Sequence, residues 1–391
     1  MPRSILILGG GFAGVQAALS LARKKGLDAS VRLIDPKTYF EYHAALYRFV
    51  TGKSPMETCL PYRDIFDGTD VDVVRDRVVK INLDAKKVEG VSGSHYQYDT
   101  LLLALGSETS YFGIQGIQQY SYGMKSADEA LKLTMHIDAV FASAVAASSE
   151  NQTPLLHLVI VGGGASGVEL AAELACYTKI LAGKHRLDSS FVTIDLIEAM
   201  HRLLPMLPEA ASAIVERRLR FLGVNILLNR SLVREEVEDV FLKDMQMKTK
   251  TVVWTAGMRG NSLVEKTAGL VLDHKGRIEV DELLRAKGNA DVYVLGDLAA
   301  TKQSGMAQTA LYDGAFVADV ISADHRGASR PTYKPKQPVY AIPVGPRWAI
   351  VIRGPWTFTG YTGWILRRLL DLRVFMTLLP LRKAWRAFRC I

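Results

Sequence analysis

One pattern occurs twice in this chain. SILILGGGFAGVQAALSLARKKG, ahead of VRLID, is an apolar run, a glycine turn, a helical stretch and a β-branched run. LHLVIVGGGASGVELAAELAC, ahead of FVTIDLIEA, repeats that order, with Gly162 lying 153 residues after Gly9. Each copy reads as a strand, a helix and a second strand. The chain is thus an internal duplication of one nucleotide-binding unit, and the expected fold is α/β with two Rossmann-type domains.

Each turn carries the spacing that a dinucleotide needs. In Gly9-x-Gly11-x-x-Gly14 the first glycine permits the tight turn and the second lets a pyrophosphate approach the backbone. The third lets helix and strand pack closely, which leaves the anion to the helix N-terminus. Asp35 follows Gly14 by 21 residues at a strand end, where its carboxylate can accept from ribose hydroxyls. Gly162-x-Gly164-x-x-Gly167 meets the same test, with Glu198 lying 31 residues beyond Gly167. The extra length fits an insert, GKHRLDSS, at 183–190. Two such sites imply one bound and one exchanging cofactor, because hydride transfer needs a donor and an acceptor. An acid at each ribose position repels a 2′-phosphate, which favours NADH over NADPH at the second site. His201 and Arg202 lie close enough to Glu198 to leave that preference open.

With 391 residues, 49% of them hydrophobic and 23% charged, the chain has room for two or three domains and is neither disordered nor disulfide-stapled. Cys59, Cys176 and Cys390 match no disulfide framework and no zinc spacing, so a reducing compartment and no metal are expected. No signal peptide precedes the strand-like run at Ser4, and no run of 18 uncharged apolar residues occurs. Neither export nor a membrane-spanning helix is expected. The net charge of +8 would suit a nucleic-acid binder were it spread evenly, but it is local. From Arg353 to Ile391 eight basic residues face one acid, Asp371, which puts +7 there and +1 on the other 352 residues. Nucleic acid is therefore not an expected partner.

Further segments add detail. Residues 71–103 alternate and turn, which reads as antiparallel strands. ADVYVLGDLAA at 290–300 is a buried strand ending in Gly296-Asp297, and beyond Arg330 the texture turns Pro-rich, then aromatic and basic.

Taken together, these motifs make the chain resemble the flavoproteins with two dinucleotide-binding domains, and within them the type II NADH dehydrogenases (NADH:quinone oxidoreductases). VRLIDPKTYFEYHAALYRFVTGK, YDTLLLALGS, RLLPMLPEAAS, TVVWTAGMRGN, GRIEVDELLR, ADVYVLGD and MAQTALYDG have counterparts in that order. His43-Ala44-Ala45-Leu46 also resembles the apoptosis-inducing-factor-like quinone reductases. The resemblance implies bound FAD in the first site and NADH as substrate in the second. It divides the chain into an FAD-binding domain, first part (1–112), an NAD(H)-binding domain (113–257), an FAD-binding second part (258–330) and a membrane-associating region (331–391).

Residue by residue, the resemblance implies that Gly9, Gly11, Phe12, Ala13 and Gly14 cradle the FAD pyrophosphate, and that Asp35 holds the adenosine ribose. The Val78 backbone then meets adenine, Gly106 lies near the phosphates, Asp297 binds the ribityl chain, and Ala307 and Gln308 abut the isoalloxazine ring. For NADH, Gly162, Gly164, Ala165, Ser166 and Gly167 form the phosphate turn, Glu198 takes the ribose, and Glu169 lies near the nicotinamide. Ala256 and Gly257 line the passage between the cofactors. Gln308 and Tyr312, one helical turn apart, are expected to face the quinone, with a merely packed Tyr312 as the alternative.

Departures from the pattern matter too. Where relatives carry a glutamine pair, this chain has Tyr312 and Asp313, and His43 stands where a glutamine is common. No Cys-x4-Cys follows the first helix, which speaks against a disulfide reductase, and Cys390 is not at the prenylation position.

The tail has its own pattern. Trp356, Trp364 and Trp385 are three of the five tryptophans. Leu381, Ala384, Trp385 and Phe388 fall on one helical stripe, with Arg382, Lys383, Arg386 and Arg389 on the opposite one. Arg367, Arg368 and Asp371 share a face of a preceding helix, and Pro380 separates the two. Aromatic anchors with a cationic face describe an amphipathic helical segment lying on an anionic membrane surface. The alternative is a core-packed or dimer-forming helix pair. Truncation after Arg353 is then expected to release a soluble enzyme that keeps its flavin.

The reading expected is a peripheral (monotopic) flavoenzyme on the cytoplasmic side of a membrane, a possible homodimer, passing electrons from NADH through FAD to a quinone. Its competitors are an NADH oxidase that uses dioxygen and an NADH-sensing flavoprotein with negligible turnover.

Overall fold

The computed structural model describes residues 2–390. β1 (Arg3–Leu8), α1 (Phe12–Ala22) and β2 (Ala29–Asp35) form the first crossover, with Ile5 opposite Val31 in a parallel pair. β3 (Asp72–Arg75) extends the sheet beyond β2. β4 (Val78–Asn82), β5 (Lys87–Gly90) and β6 (His95–Gln97) make a separate antiparallel flap. β7 (Thr100–Leu103) then lies parallel to β1 on its other side. Only β4–β6 of the 71–103 stretch are therefore antiparallel. β7 is buried at every position, the mark of a parallel strand covered on both faces, and β3 is an edge strand continuing the register of β2.

β8 (Ser107–Thr109) leads out of this half. The second half contains α2 (Ala127–Ala144), β9 (His157–Val161), α3 (Ala165–His185), β10 (Thr193–Ile197), α4 (Glu209–Leu222) and β11 (Val224–Leu227). An antiparallel flap of β12 (Leu232–Glu235), β13 (Asp239–Leu242) and β14 (Gln246–Lys248) precedes β15 (Thr251–Trp254). The sheet order is β11–β10–β9–β15, all parallel. α3 has 21 residues against 11 in α1, so much of the extra spacing before Glu198 is helix.

β16 (Met258–Gly260) pairs antiparallel with β8, Ser107 opposite Gly260, so the two connections between the halves run side by side. β17 (Val292–Val294) rejoins the first sheet next to β7. α5 (Ala307–His325) then packs along α1. Gly314 permits this, because a Cβ there would lie 2.4 Å from the Ala13 carbonyl oxygen.

The last segment holds a sheet that the sequence does not announce: β18 (Tyr340–Pro343), β19 (Ala349–Arg353) and β20 (Trp356–Phe358), antiparallel. Its Ile342, Val344, Ile350 and Ile352 pack into the core of the NAD half. α6 (Gly360–Leu378) and α7 (Leu381–Cys390) follow, and Phe375, Leu378, Leu379, Ala384 and Ala387 join the core of the flavin half. The tail thus starts on one half and ends on the other.

α6 is inside-out. Gly363, Arg367, Asp371, Phe375 and Leu378 form its buried stripe, whereas Tyr361, Ile365, Leu369 and Met376 are 59, 41, 53 and 51% exposed. The charged face seen in the sequence turns inward because Arg367 and Asp371 satisfy each other and groups of the flavin half. This argues against the expectation that truncation after Arg353 leaves an intact flavoprotein, since it would strip five apolar residues from the flavin core. Among the described residues no helix is long and apolar enough to cross a membrane.

Candidate active site

The two glycine turns have the same build. Gly9 and Gly162 sit at φ +101° and +115°, a region that side chains other than hydrogen rarely adopt. A Cβ on Gly14 or Gly167 would lie 1.9 Å from the carbonyl oxygen of Gly9 or Gly162 respectively, so helix and strand touch through hydrogen alone. At Gly11 and Gly164, in contrast, an added Cβ meets nothing within 4 Å and the φ values are an ordinary −78° and −74°. These two residues cap α1 and α3, and neither helix has a capping side chain or an acid in its first turn. The first-turn N–H groups are left for an anion, so both turns fit a dinucleotide pyrophosphate.

The ribose acids are held alike. The Asp35 carboxylate accepts from the Gly10 amide at 2.7 Å and the Lys37 amide at 2.8 Å; Glu198 accepts from Gly163 at 2.6 Å and Met200 at 2.8 Å. Carboxylate oxygens carry about four lone-pair sites in all, so each acid can still accept from a ribose. Arg202 donates to the Leu207 and Pro205 carbonyls and to Ser212 Oγ, which engages its guanidinium. Val78 opens β4 just beyond Asp76, whose amide donates to the Asp35 carbonyl at 3.1 Å. Tyr62 closes the first turn from outside, its hydroxyl donating to the Gly10 carbonyl at 2.9 Å.

Between the halves lies a cleft of about 270 Å³. Gly11, Phe12, Ala13, Gly106, Asp297 and Ala307 line it from the flavin half, and Ser166, Ala256 and Gly257 from the other. Lys125 also lines it, donating to Ser107 Oγ at 2.8 Å, which in turn donates to Asp297 at 3.0 Å. Burial pulls the Lys125 ammonium below its ordinary pKa, against the pull of Asp297 and Glu129. His43 and Ala44 form a further part of the wall.

Gln308 and Tyr312 do not line the cleft. The Gln308 amide makes both its bonds to the Val339 backbone, at 2.8 and 3.1 Å. Tyr312 packs against Tyr333, with Lys336 Nζ 4.7 Å from its ring centroid. Both side chains hold the 331–339 segment against α5. Asp313, fully buried, accepts from the Gly296 amide at 3.1 Å and the Tyr333 hydroxyl at 2.7 Å, and burial pushes it up to about 6.

Behind the His43–Ala44 wall lies a charged cluster. Arg367 donates to Asp371 and, at 3.0 Å, to the Ala44 carbonyl, while the Tyr42 hydroxyl donates to Asp371. Glu169, one turn beyond Ser166 on α3, is coupled to this pair. Burial pushes it up to about 8; Arg367 opposes the shift and Asp371 adds to it.

A family model for pyridine nucleotide-disulphide oxidoreductases matches residues 3–314. The chain is 32% identical over 390 residues to the type II NADH:quinone oxidoreductase Ndh of Mycobacterium tuberculosis, covering 94% of this chain and 83% of that one. It is 30% identical over 332 residues to a type II NADH:quinone oxidoreductase of Staphylococcus haemolyticus, covering 82% of each. The chain belongs to the type II NADH:quinone oxidoreductase family. Its fold is also that of NDH2 from Plasmodium falciparum, solved in complex with NADH, at a TM-score of 0.90 and 18% identity over 100% of this chain and 97% of that one.

Cys59 and Cys176 are free thiols on separate elements. For this member of the family, sequence reasoning missed Tyr62, Lys125, Tyr42 and the pairing of Arg367 with Asp371. Lys125 and Tyr62 had no motif to betray them. Asp371 did carry a signal, as the single acid in a tail of eight basic residues.

Proposed function

We propose that this chain is a flavoenzyme that oxidises NADH and reduces a membrane quinone, working as a peripheral protein on the cytoplasmic side of its membrane. One observation carries the reading: two uncapped helix N-termini, each behind a glycine with open space at its Cβ, belong to one chain whose two halves share a cleft. FAD, when bound, supplies two-electron acceptance from NADH and delivery to quinone. The amides at the start of α1 hold its pyrophosphate and Asp35 its ribose, while Asp297 takes the ribityl chain. Those at the start of α3, with Glu198, hold NADH. Ala256 and Gly257 line the cleft between the two sites and offer no side chain larger than methyl of their own. The Glu169 carboxyl, neutral below a pH of about 8, holds a proton beside the Arg367–Asp371 pair, behind the cleft wall rather than in its lining. Lys125 places an ammonium beside Asp297, which offsets anionic charge arriving in a partly desolvated site.

Membrane attachment is supported by the outward stripe of α6 together with Trp356, Leu381 and Trp385, which are 67, 70 and 54% exposed. Exposed apolar side chains of this kind, on a segment that also exposes Arg353, Arg373, Arg382, Arg386 and Arg389, suit an anionic interface. The test is turnover of NADH by the purified protein with a long-chain quinone in liposomes, measured alongside oxygen uptake without quinone. Quinone-dependent turnover supports the proposal. Equal rates with dioxygen alone make it an NADH oxidase, and tight NADH binding with no turnover makes it a sensor.

A further inference from the structure

A second cationic and aromatic patch lies on the NAD half. Phe221, at the end of α4, is 79% exposed, the largest value among the exposed large apolar residues described. The Arg218 guanidinium stands 5.2 Å from the Phe221 ring centroid and 5.6 Å from that of Trp348. Its Nε donates to the Val344 carbonyl at 3.3 Å, which ties α4 to the turn between β18 and β19. At that turn Arg347 is exposed and held at φ +54°, a conformation that L side chains rarely adopt. Such strain persists only where surrounding structure enforces it.

The patch runs into the tail. The Trp348 indole nitrogen lies 3.7 Å from where a Cβ on Gly360 would sit, at the start of α6. The next residue, Tyr361, is 59% exposed and stacks on Trp364 at 5.4 Å. α6 then carries the exposed apolar stripe about 28 Å further, at 1.5 Å per residue, to α7 on the flavin half. The charge is one-sided. Between Arg326 and Leu370 the chain has no acidic residue, and Glu216 on α4 is paired with Arg220 at 2.9 Å.

We propose that the end of α4 and the β18–β19 turn form a second lipid-contact patch, which docks on anionic phospholipid and ties the NADH-binding half to the membrane. The proposal rests on the reading of the tail as a membrane foot. The tail alone would act as a single line of contact about which the enzyme could roll. Phe221 and Arg347, with the exposed Arg217 one helical turn before Phe221 on α4, add a contact at the end of that line on the other half and set the tilt of the cleft.

The test is co-sedimentation of the full-length holoprotein with phosphatidylglycerol-containing vesicles and with neutral phosphatidylcholine vesicles. Flavin content and Tm serve as folding controls. The pair Arg217→Ser and Arg347→Ser should bind anionic vesicles about 25-fold more weakly at low salt, each charge contributing about fivefold, and the difference should disappear on neutral vesicles. Phe221→Ser should weaken binding to both. If these variants bind like the wild type while Leu381→Ser with Trp385→Ser fails to bind, the second patch is refuted and the foot stands. If the wild type itself does not sediment with anionic vesicles, the foot falls and the patch with it. Patch variants that change oligomeric state in light scattering but not vesicle binding would make this surface a protein interface and overturn the proposal.

Discussion

Arg367 and Asp371, four residues apart on α6, form a buried ion pair that reaches across to the flavin half through Tyr42 and the Ala44 carbonyl. His43 lies between those two attachment points and lines the cleft. The α6–α7 end of the tail is therefore packed into the flavin half, and the polar face of α6 is a latch on the wall of the site.

Removing one partner leaves the other charged and buried, which costs about 3–5 kcal/mol. Arg367→Met and Asp371→Ala should each lower the denaturant midpoint by a corresponding amount, and truncation after Arg353 should yield protein without flavin. Urea unfolding followed by flavin fluorescence checks both. A truncated protein that kept its flavin and its midpoint would show the latch to be dispensable.

Glu169 makes stability depend on pH. Its ordinary pKa of 4.5 rises to about 8 in the folded protein, chiefly by burial. Between those values the native state binds the proton that the unfolded state has lost, so stability falls as pH rises through the window. The full cost is present above about 8. Glu169→Gln cannot ionise, so its urea midpoint should change less than that of the wild type between about pH 5 and about pH 9. Equal slopes in the two proteins would show that Glu169 is not the group responsible.

Which parts of this were legible in the sequence follows from the physics of each part. Gly9, Gly14 and Asp35 announce themselves because the backbone allows few alternatives at a pyrophosphate turn. Arg367 and Asp371 were visible as a polar face, but amphipathicity does not say which face is inward when an ion pair can satisfy itself. That depended on Tyr42, which lies 329 residues from Asp371. β7 reads as a possible hairpin strand until its pairing with β1 is known, and the β18–β20 sheet has only short runs between prolines and glycines. Lys125 belongs to no motif and gains its place from its bond to Ser107 on β8. Gln308 and Tyr312 were placed on the right helix, yet their polar groups are engaged with residues 331–339, which no local pattern reveals.

Glu198 should set nucleotide preference. Its carboxylate is fixed by the Gly163 and Met200 amides, and the nearby Arg202 is engaged elsewhere. A 2′-phosphate would meet like charge at Glu198. Wild type should favour NADH by at least about tenfold in kcat/KM, about 1.4 kcal/mol, and Glu198→Gln should narrow the gap. A wild-type preference for NADPH would refute this assignment.

The glycines allow the two sites to be separated by single substitutions. Gly11 and Gly164 have ordinary φ values and open space at the Cβ position, so a side chain there costs the apoprotein little. What it would strike is a pyrophosphate on the helix N-terminus. Gly11→Val should therefore fold, keep its far-UV spectrum and lose FAD, whereas Gly164→Val should stay yellow and lose only its reduction by NADH. Gly14→Val must fail differently, because its Cβ would sit 1.9 Å from the Gly9 carbonyl oxygen whether or not a cofactor is present. Flavin absorbance, circular dichroism and stopped-flow reduction by NADH distinguish the three. If Gly11→Val retained a full flavin spectrum, or if Gly164→Val rather than Gly11→Val lost the flavin, the assignment of FAD to the first turn and NADH to the second would be wrong.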